Sequence, residues 1–270
     1  MIAAASRVLE SLARRNLPAD SVMLAWLGQA SFAMRLGVTT VLIDPFLSHH
    51  PDRLVPPPFA AAEARGVDLV LITHDHLDHL DAQAVPAIAT ASPDAVFVVP
   101  EDVVDRVTEL GVEQSRIRGL LPDGRTAVGS VTVEAVPAAH GETMADAYRL
   151  GPFLGYVVNA GSARVYHSGD TVPFDGLVER LRELSVHLAL LPINGRDAER
   201  EAEGIVGNLD AYEAAQLAAE IGADVAIPMH WDMFAANPGD PAAFVRASRT
   251  TVMVPRHARP LVYTVSEAVG

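Results

Sequence analysis

The chain has 270 residues, half of them hydrophobic and a fifth charged, with a formal net charge of -14 and no cysteine. This is globular composition, long enough for a sizeable core in one large domain or two small ones. The acidic balance makes nucleic acid a poor partner, and the missing thiols exclude disulfides and thiolate metal sites, so any metal must sit on His, Asp or Glu.

Residues 1–20 read as an amphipathic helical segment ended by Pro18. Its apolar run is short and its arginines follow it, unlike a secretory signal. No apolar run reaches the length of a membrane span, so a cytoplasmic protein with no membrane partner is expected. Three strand-like runs come next, "VMLAWLG", "SFAMRLG" and "TTVLIDP", with turns at Gly28 and Gly37. "VDLVLIT" and "AVFVVP" are continuously apolar, as in a sheet covered on both faces. A helix from about Asp102 to Leu110 stops at Gly111. "SVTVEAVPA" alternates as a strand, and "FLGYVVNA" with "ARVYHSG" reads as a hairpin around Ala160 and Gly161. "PFDGLVERLREL" reads as a helix and "HLALLPI" as a strand. The next helix opens on a capping box, Asp210 with Glu213, and Gly222 is placed to end it. "VAIPMH" is a last strand, ending on His230. The order suggests two mixed sheets packed together with helices outside, an α/β architecture in one domain over 1–270.

The chemistry concentrates in "THDHLDHLD", Thr73 to Asp81, directly after an apolar strand. A rigid strand end gives the loop a fixed origin. His74 and His76 can then share one cation while Asp78 and His79 turn toward a second, a few ångströms away. Two ions need further ligands, and three strand ends offer them: His140 after "VEAVPAA", Asp170 after "VYHSG" and His230 after "VAIPM". The expected sets are His74, His76 and His140 on one ion and Asp78, His79 and His230 on the other. Asp170 can bridge them, since each of its oxygens can bind one. Imidazole with carboxylate admits two divalent ions, Mn2+ or Zn2+, with iron also open.

These motifs ("THDHLDH", "HGE", "HSGDT" and "PMHWD") resemble the successive metal motifs of the metallo-β-lactamase superfamily, from about Trp26 to Asp232. The resemblance implies a four-layer αββα sandwich with the metals at one edge of the paired sheets. It also makes Asp44 of "LIDP" a structural aspartate behind the ligands. "WLGQASF", "LPINGRD" and "IPMHWDMF" resemble the UlaG-like branch, whose named member is the manganese-dependent L-ascorbate-6-phosphate lactonase. That branch forms oligomers, so a homo-oligomer is an expectation of the resemblance.

The expected activity is therefore metal-dependent hydrolysis, of a lactone in the first place, with a hydroxide held between the ions as nucleophile. A phosphodiesterase or phospholipase-D-like hydrolase is the alternative, and a non-catalytic binding protein a third reading, though no ligand is missing. A diiron oxidoreductase fits poorly, because His76 is not a glutamate and there is no room for a flavodoxin module. The substrate is expected to be a small polar metabolite, phosphorylated or not. Candidate catalytic groups are Asp78, Asp75 and His167. Asp75 would orient a histidine by accepting its second N–H, or else lie in a surface salt bridge. His167 would protonate a leaving group, or else be a buried, satisfied histidine. Asn194 and Arg196 of "LPINGRD" are the candidate substrate contacts; Arg196 would grip a phosphate or carboxylate, or else pair with Asp197 or Glu199. His49 and His50 lie in a proline-rich loop that either walls the pocket or is simply exposed.

Overall fold

In β1 (Ser21–Gly28) successive side chains enter two different cores. Met23, Ala25 and Leu27 pack on one side, and Val22, Leu24 and Trp26 on the other. A strand turns alternate residues to opposite faces, so an unbroken apolar run marks a sheet covered on both. The structure, a computed structural model, describes residues 6–13, 17, 18, 20–141 and 143–265.

Two seven-stranded sheets pack face to face. The first runs β14 (Leu261–Thr264), β1, β2 (Ser31–Leu36), β3 (Thr39–Ile43), β4 (Leu69–Leu71), β5 (Val96–Pro100) and β6 (Ile117–Leu120). The second runs β13 (Thr251–Val252), β12 (Val225–Met229), β11 (Leu188–Pro192), β10 (Ala163–His167), β9 (Arg149–Ala160), β8 (Val131–His140) and β7 (Arg125–Val128). Both are mixed. Pairing is antiparallel from β14 to β3 and from β7 to β10, and parallel from β3 to β6 and from β10 to β13. The inner core includes Trp26, Phe32, Tyr156 and Ile227.

Helices α1 (Ser6–Ala13), α2 (Ala84–Ala91) and α3 (Val104–Glu109) cover the outer face of the first sheet through Leu12, Ile88 and Val107. Helices α4 (Leu177–Glu183), α6 (Ala211–Glu220) and α7 (Pro241–Ala247) cover the second through Leu181, Ala214 and Phe244. A shorter helix, α5 (Ala198–Ala202), adds no buried residue to these cores. The result is the four-layer αββα sandwich expected above. Among the described residues no helix is long and apolar enough to cross a membrane. The expected N-terminal helix is seen in its described part; residues 1–5 and 14–16 lie outside the described residues.

The capping box of α6 is as the sequence suggests. The Asp210 carboxylate accepts the N–H groups of Tyr212 and Glu213, and Glu213 accepts the N–H of Asp210. Each satisfies a donor that the first helical turn would leave unpaired.

The functional side chains follow β3, β4, β10 and β12 or, like His140, end β8. Parallel strands bring their carboxyl ends to one edge, where ligand sites of α/β sheets form. The sheets are tied together there: Leu154 N–H donates to the Thr73 carbonyl at 3.1 Å and the Tyr156 hydroxyl to the Ile72 carbonyl at 2.8 Å. Gly169 makes the close passage possible. Its φ is +58°, and a Cβ there would lie 2.8 Å from the Leu154 oxygen and 2.9 Å from the Thr73 Cβ.

Candidate metal centre

The loop after β4 is clamped at both ends by buried carboxylates. At its start, Asp44 accepts the Thr73 N–H at 2.8 Å on Oδ1 and the Thr73 hydroxyl at 2.8 Å on Oδ2. At its end, Asp81 accepts Leu47 and Ser48 N–H on one oxygen and Gln83 and Ala84 N–H on the other. Between the clamps, His79 and Leu80 N–H close a tight turn on the His76 carbonyl.

The same network sets the tautomers. The Thr73 hydroxyl gives its proton to Asp44, so at 2.9 Å it accepts from Nδ1–H of His74. His79 Nδ1–H donates to Asp44 Oδ2 at 2.7 Å. In both rings Nε2 is left as the free lone pair, the form in which imidazole binds a metal.

All seven expected ligands come together. His74 Nε2 and His140 Nε2 lie 3.0 and 3.4 Å from His76 Nδ1. Opposite them, Asp78 Oδ2 lies 3.4 Å from His230 Nε2 and 3.8 Å from His79 Nε2. Asp170 stands between: Oδ1 is 3.4 Å from His79 Nε2, and Oδ2 is 3.3 Å from His230 Nε2 and 3.7 Å from His140 Nε2. Within each of the sets His74/His76/His140, Asp78/His79/His230 and His74/His79/Asp170, the donor atoms lie within 4.8 Å of one another. His79 Nε2 and Asp170 Oδ1 are buried without a hydrogen-bond partner. Leaving such groups unmet costs about 1–3 kcal/mol each. Converging lone pairs and unmet buried acceptors are what a divalent cation satisfies, so the residues fit one.

The two sides differ electrostatically. Burial, reinforced by His79 and His76, pushes His74 well below the usual imidazole range, and burial takes His140 down to about 4. Burial also acts to lower His79 and His230. There the carboxylates prevail: Asp170, Asp44 and Asp78 raise His79 well above its ordinary value, and Asp170 and Asp78 raise His230 to about 9. The two rings in turn overcome burial at Asp78 and Asp170 and hold both below the usual carboxylate range.

Two further residues were given no role by the sequence. Gln29, buried at φ +53°, donates from Nε2 to Asp78 Oδ2 at 2.7 Å, and that nitrogen lies 3.0 Å from His230 Nε2. Its carbonyl accepts the N–H of His230, itself at φ +60°, and its N–H donates to Asp232. The available signal was a polar residue directly after Gly28, at the end of an apolar strand. Phe153 places its ring 5.5, 6.2 and 5.4 Å from those of His74, His76 and His140.

Other candidates stand elsewhere. Asp75 is exposed and hydrogen-bonds no histidine among the described residues; the carboxylate that accepts a ring N–H is Asp44. His167 is fully buried and satisfied, donating from Nε2 to the Ala30 carbonyl at 2.7 Å and accepting the Gly169 N–H on Nδ1. This leaves it no free nitrogen for a leaving group. Arg196 makes a bidentate pair with Glu213, 2.7 Å on each arm, rather than pairing with Asp197 or Glu199, and it lines no part of the cavity described below. Asn194 is buried between Asn208 and Asn237, one residue behind the cavity wall. His49 is exposed, whereas His50 joins the wall.

The cluster opens on a cavity of about 660 Å3, to which His76, Asp78, His140, Asp170 and His230 contribute.

Residues 39–231 match the beta-lactamase superfamily domain. A UPF0173 metal-dependent hydrolase of Aeropyrum pernix is 33% identical over 234 residues, covering 82% of this chain and 87% of that protein. Among solved structures, a metallo hydrolase from the hyperthermophilic archaeon Ignicoccus hospitalis superposes with a TM-score of 0.73 at 23% identity, over 91% of this chain and 100% of that one. An isothiocyanate hydrolase from Delia radicum gut bacteria superposes with a TM-score of 0.71 at 18% identity, over 90% and 99%. At these identities the two likenesses carry the fold alone.

Proposed function

The chain belongs to the beta-lactamase superfamily and to its UPF0173 metal-dependent hydrolases, and on that premise we propose that it opens a lactone or cleaves a related carboxylic ester. The observation that carries the reading is the pair of ligand sets joined through Asp170, with buried lone pairs that have no other partner. His74, His76 and His140 would hold one divalent ion and Asp78, His79 and His230 a second, with Asp170 reaching both. Manganese and zinc both suit imidazole with carboxylate, and iron remains compatible. When bound, such ions supply an activated water at neutral pH and polarise the substrate's carbonyl oxygen.

The chain's own residues do the rest. Asp44 and Thr73 hold His79 and His74 in the tautomers that leave Nε2 free. Gln29 fixes the Asp78 carboxylate. Asp78 is 15% exposed, against 5% for Asp170, and it lines the cavity. Its carboxylate is the group we assign to carrying a proton from the attacking water to the leaving oxygen. Placement in the UlaG-like branch rests on the motifs "WLGQASF", "LPINGRD" and "IPMHWDMF".

The test is metal content of the purified protein, measured with hydrolysis of an uncharged lactone and of L-ascorbate 6-phosphate after chelation and readdition of Mn2+ or Zn2+. The expected result is about two metals per chain and opening of a lactone that chelation stops and metal restores. A chain that binds no metal under any of these conditions overturns the reading.

A further inference from the structure

The wall of the cavity facing the metal ligands comes from three segments: 50–54, 204–206 and 234–237. Leu54, Ile205, Val206 and Phe234 line it, with Leu77 beside His76. Leu54 and Leu77 are 62% and 55% exposed, two large apolar side chains left in water at the same opening. Exposed leucines on one pocket rim await an apolar partner more readily than a polar one.

Charge points the same way. Among the described residues lining the cavity, Arg53 is the only arginine or lysine, and it is committed elsewhere. Its Nε donates to the Val55 carbonyl, its Nη1 to the carbonyls of Phe46 and Ser48, and its guanidinium lies 4.2 Å over the Phe46 ring. Its Nη2 has no hydrogen-bond partner but is buried out of solvent, away from a ligand in the cavity. Arg53 thus braces the loop and presents no open fork to a ligand. Arg196 is closed on Glu213 outside the cavity, and the wall opposite the ligands carries a carboxylate of its own, Asp52. Cations would stand at the reacting end, and beyond them no lysine or arginine among the described residues lining the cavity is open to a second negative group; His50 there lies 3.7 Å from Asp52.

We propose that the substrate is an uncharged carboxylic ester or lactone whose non-reacting part is an apolar group, in place of the small polar metabolite, phosphorylated or not, that the sequence suggested. This rests on the hydrolase reading above. A cavity of about 660 Å3 has room for such an apolar group beside an ester. In the reaction a water oxygen bonds to the acyl carbon and the acyl carbon–alkoxy oxygen bond breaks. The proton released by water goes to the departing oxygen, giving a carboxylic acid and an alcohol.

The experiment uses the metal-loaded protein and counts only chelator-sensitive turnover. Its substrates are p-nitrophenyl acetate, butyrate and hexanoate, mono-p-nitrophenyl succinate as a carboxylate-tailed analogue, and bis(p-nitrophenyl) phosphate. Each buried methylene is worth up to about fourfold in kcat/KM. We expect a rise of about tenfold or more from acetate to hexanoate, with succinate at least about tenfold below butyrate. Ile205→Arg should lower hexanoate turnover and raise succinate turnover. A flat chain-length series, or succinate above butyrate, overturns the substrate class and leaves the hydrolase standing. Turnover of the phosphodiester with none of the esters overturns both this substrate class and the carboxylic-ester reading above, and leaves only a metal-dependent hydrolase. Metal-loaded protein inert toward all five and toward an uncharged lactone removes the hydrolase reading, and this proposal with it.

Discussion

His74, His76 and His140 meet against the ring of Phe153, whereas Asp78, His79 and His230 meet among Asp44, Asp170 and the amide of Gln29. The first set is all imidazole, and burial favours the neutral rings of His74 and His140. It is ready for a cation at neutral pH, its facing nitrogens meeting only one another and Asp170. In the second set the carboxylates raise His79 and His230 above the ordinary imidazole range, so this side favours positive charge. A divalent ion held there by Asp78, His79 and His230 would supply positive charge to the same carboxylates. The first set is organised by shape and the second by charge.

The largest expected effect comes from the residue both sets share. Asp170→Ala removes the carboxylate lying 3.3–3.7 Å from His79, His140 and His230. Activity should fall by about a thousandfold or more, and metal content should drop on both sides. Steady-state kinetics with elemental analysis checks this. Full metal content with unchanged kcat/KM would remove Asp170 from the centre.

Asp44→Asn tests the charge side separately. It keeps a side chain of the same shape beside Thr73 but removes the negative charge that His79 Nδ1–H meets at 2.7 Å. Loss of such a partner typically costs about 10–100-fold in metal affinity. The loss should fall on the Asp78/His79/His230 side, so that a titration with Zn2+ resolves one tight and one weakened site. Equal weakening of both would break the contrast between the sets.

How much of this could be read beforehand depended on how local each signal is. The cluster from His74 to His79 stands within one loop, and His140, Asp170 and His230 each stand at or just after a strand end, so residue type and strand pattern pointed to them. Two packed sheets with helices outside followed from the order of the elements and from strands that are apolar on both faces, and the resemblance implied the αββα layering. The short pieces did not: β14 is recognisable only through β1, its pairing partner some 240 residues away, and "AVPAIATA" of α2 carries a proline in place of helical punctuation. Asp44 entered through resemblance, and its bonds to Thr73 and His79 exist only once β3 and β4 lie side by side. Arg196 was misplaced for the converse reason. Its neighbours in sequence offered Asp197 and Glu199, but the fold brings Glu213 to it from the first turn of α6.

Gln29 gives a smaller effect and separates positioning from strain. Gln29→Ala and Gln29→Gly both remove the amide that holds Asp78 Oδ2. Both should weaken the Asp78/His79/His230 side by about tenfold, as loss of a partner behind a ligand does. They differ in the backbone: at φ +53° a side chain costs about 1 kcal/mol that glycine does not incur. The metal-free glycine variant should therefore be about 1 kcal/mol more stable to urea than the alanine variant, with the same metal affinity. If metal affinity followed stability across the two variants, the amide would have no role of its own.

Asp75 marks the lower end of the scale and the limit of sequence proximity. It stands between two ligands in the chain, yet its side chain is exposed and outside both sets. The alternation that turns His74 and His76 inward turns the residue between them outward. A solvated carboxylate acts on the centre only through water and salt, which screen it within about 8–10 Å. Asp75→Asn should leave metal stoichiometry unchanged and alter kcat/KM by less than about twofold, with any residual effect shrinking as salt is added. A tenfold loss that persists at high salt would mean that Asp75 contacts a ligand ring in the working protein. The orienting role assigned to Asp44 would then have to be shared between the inner and outer faces of the loop.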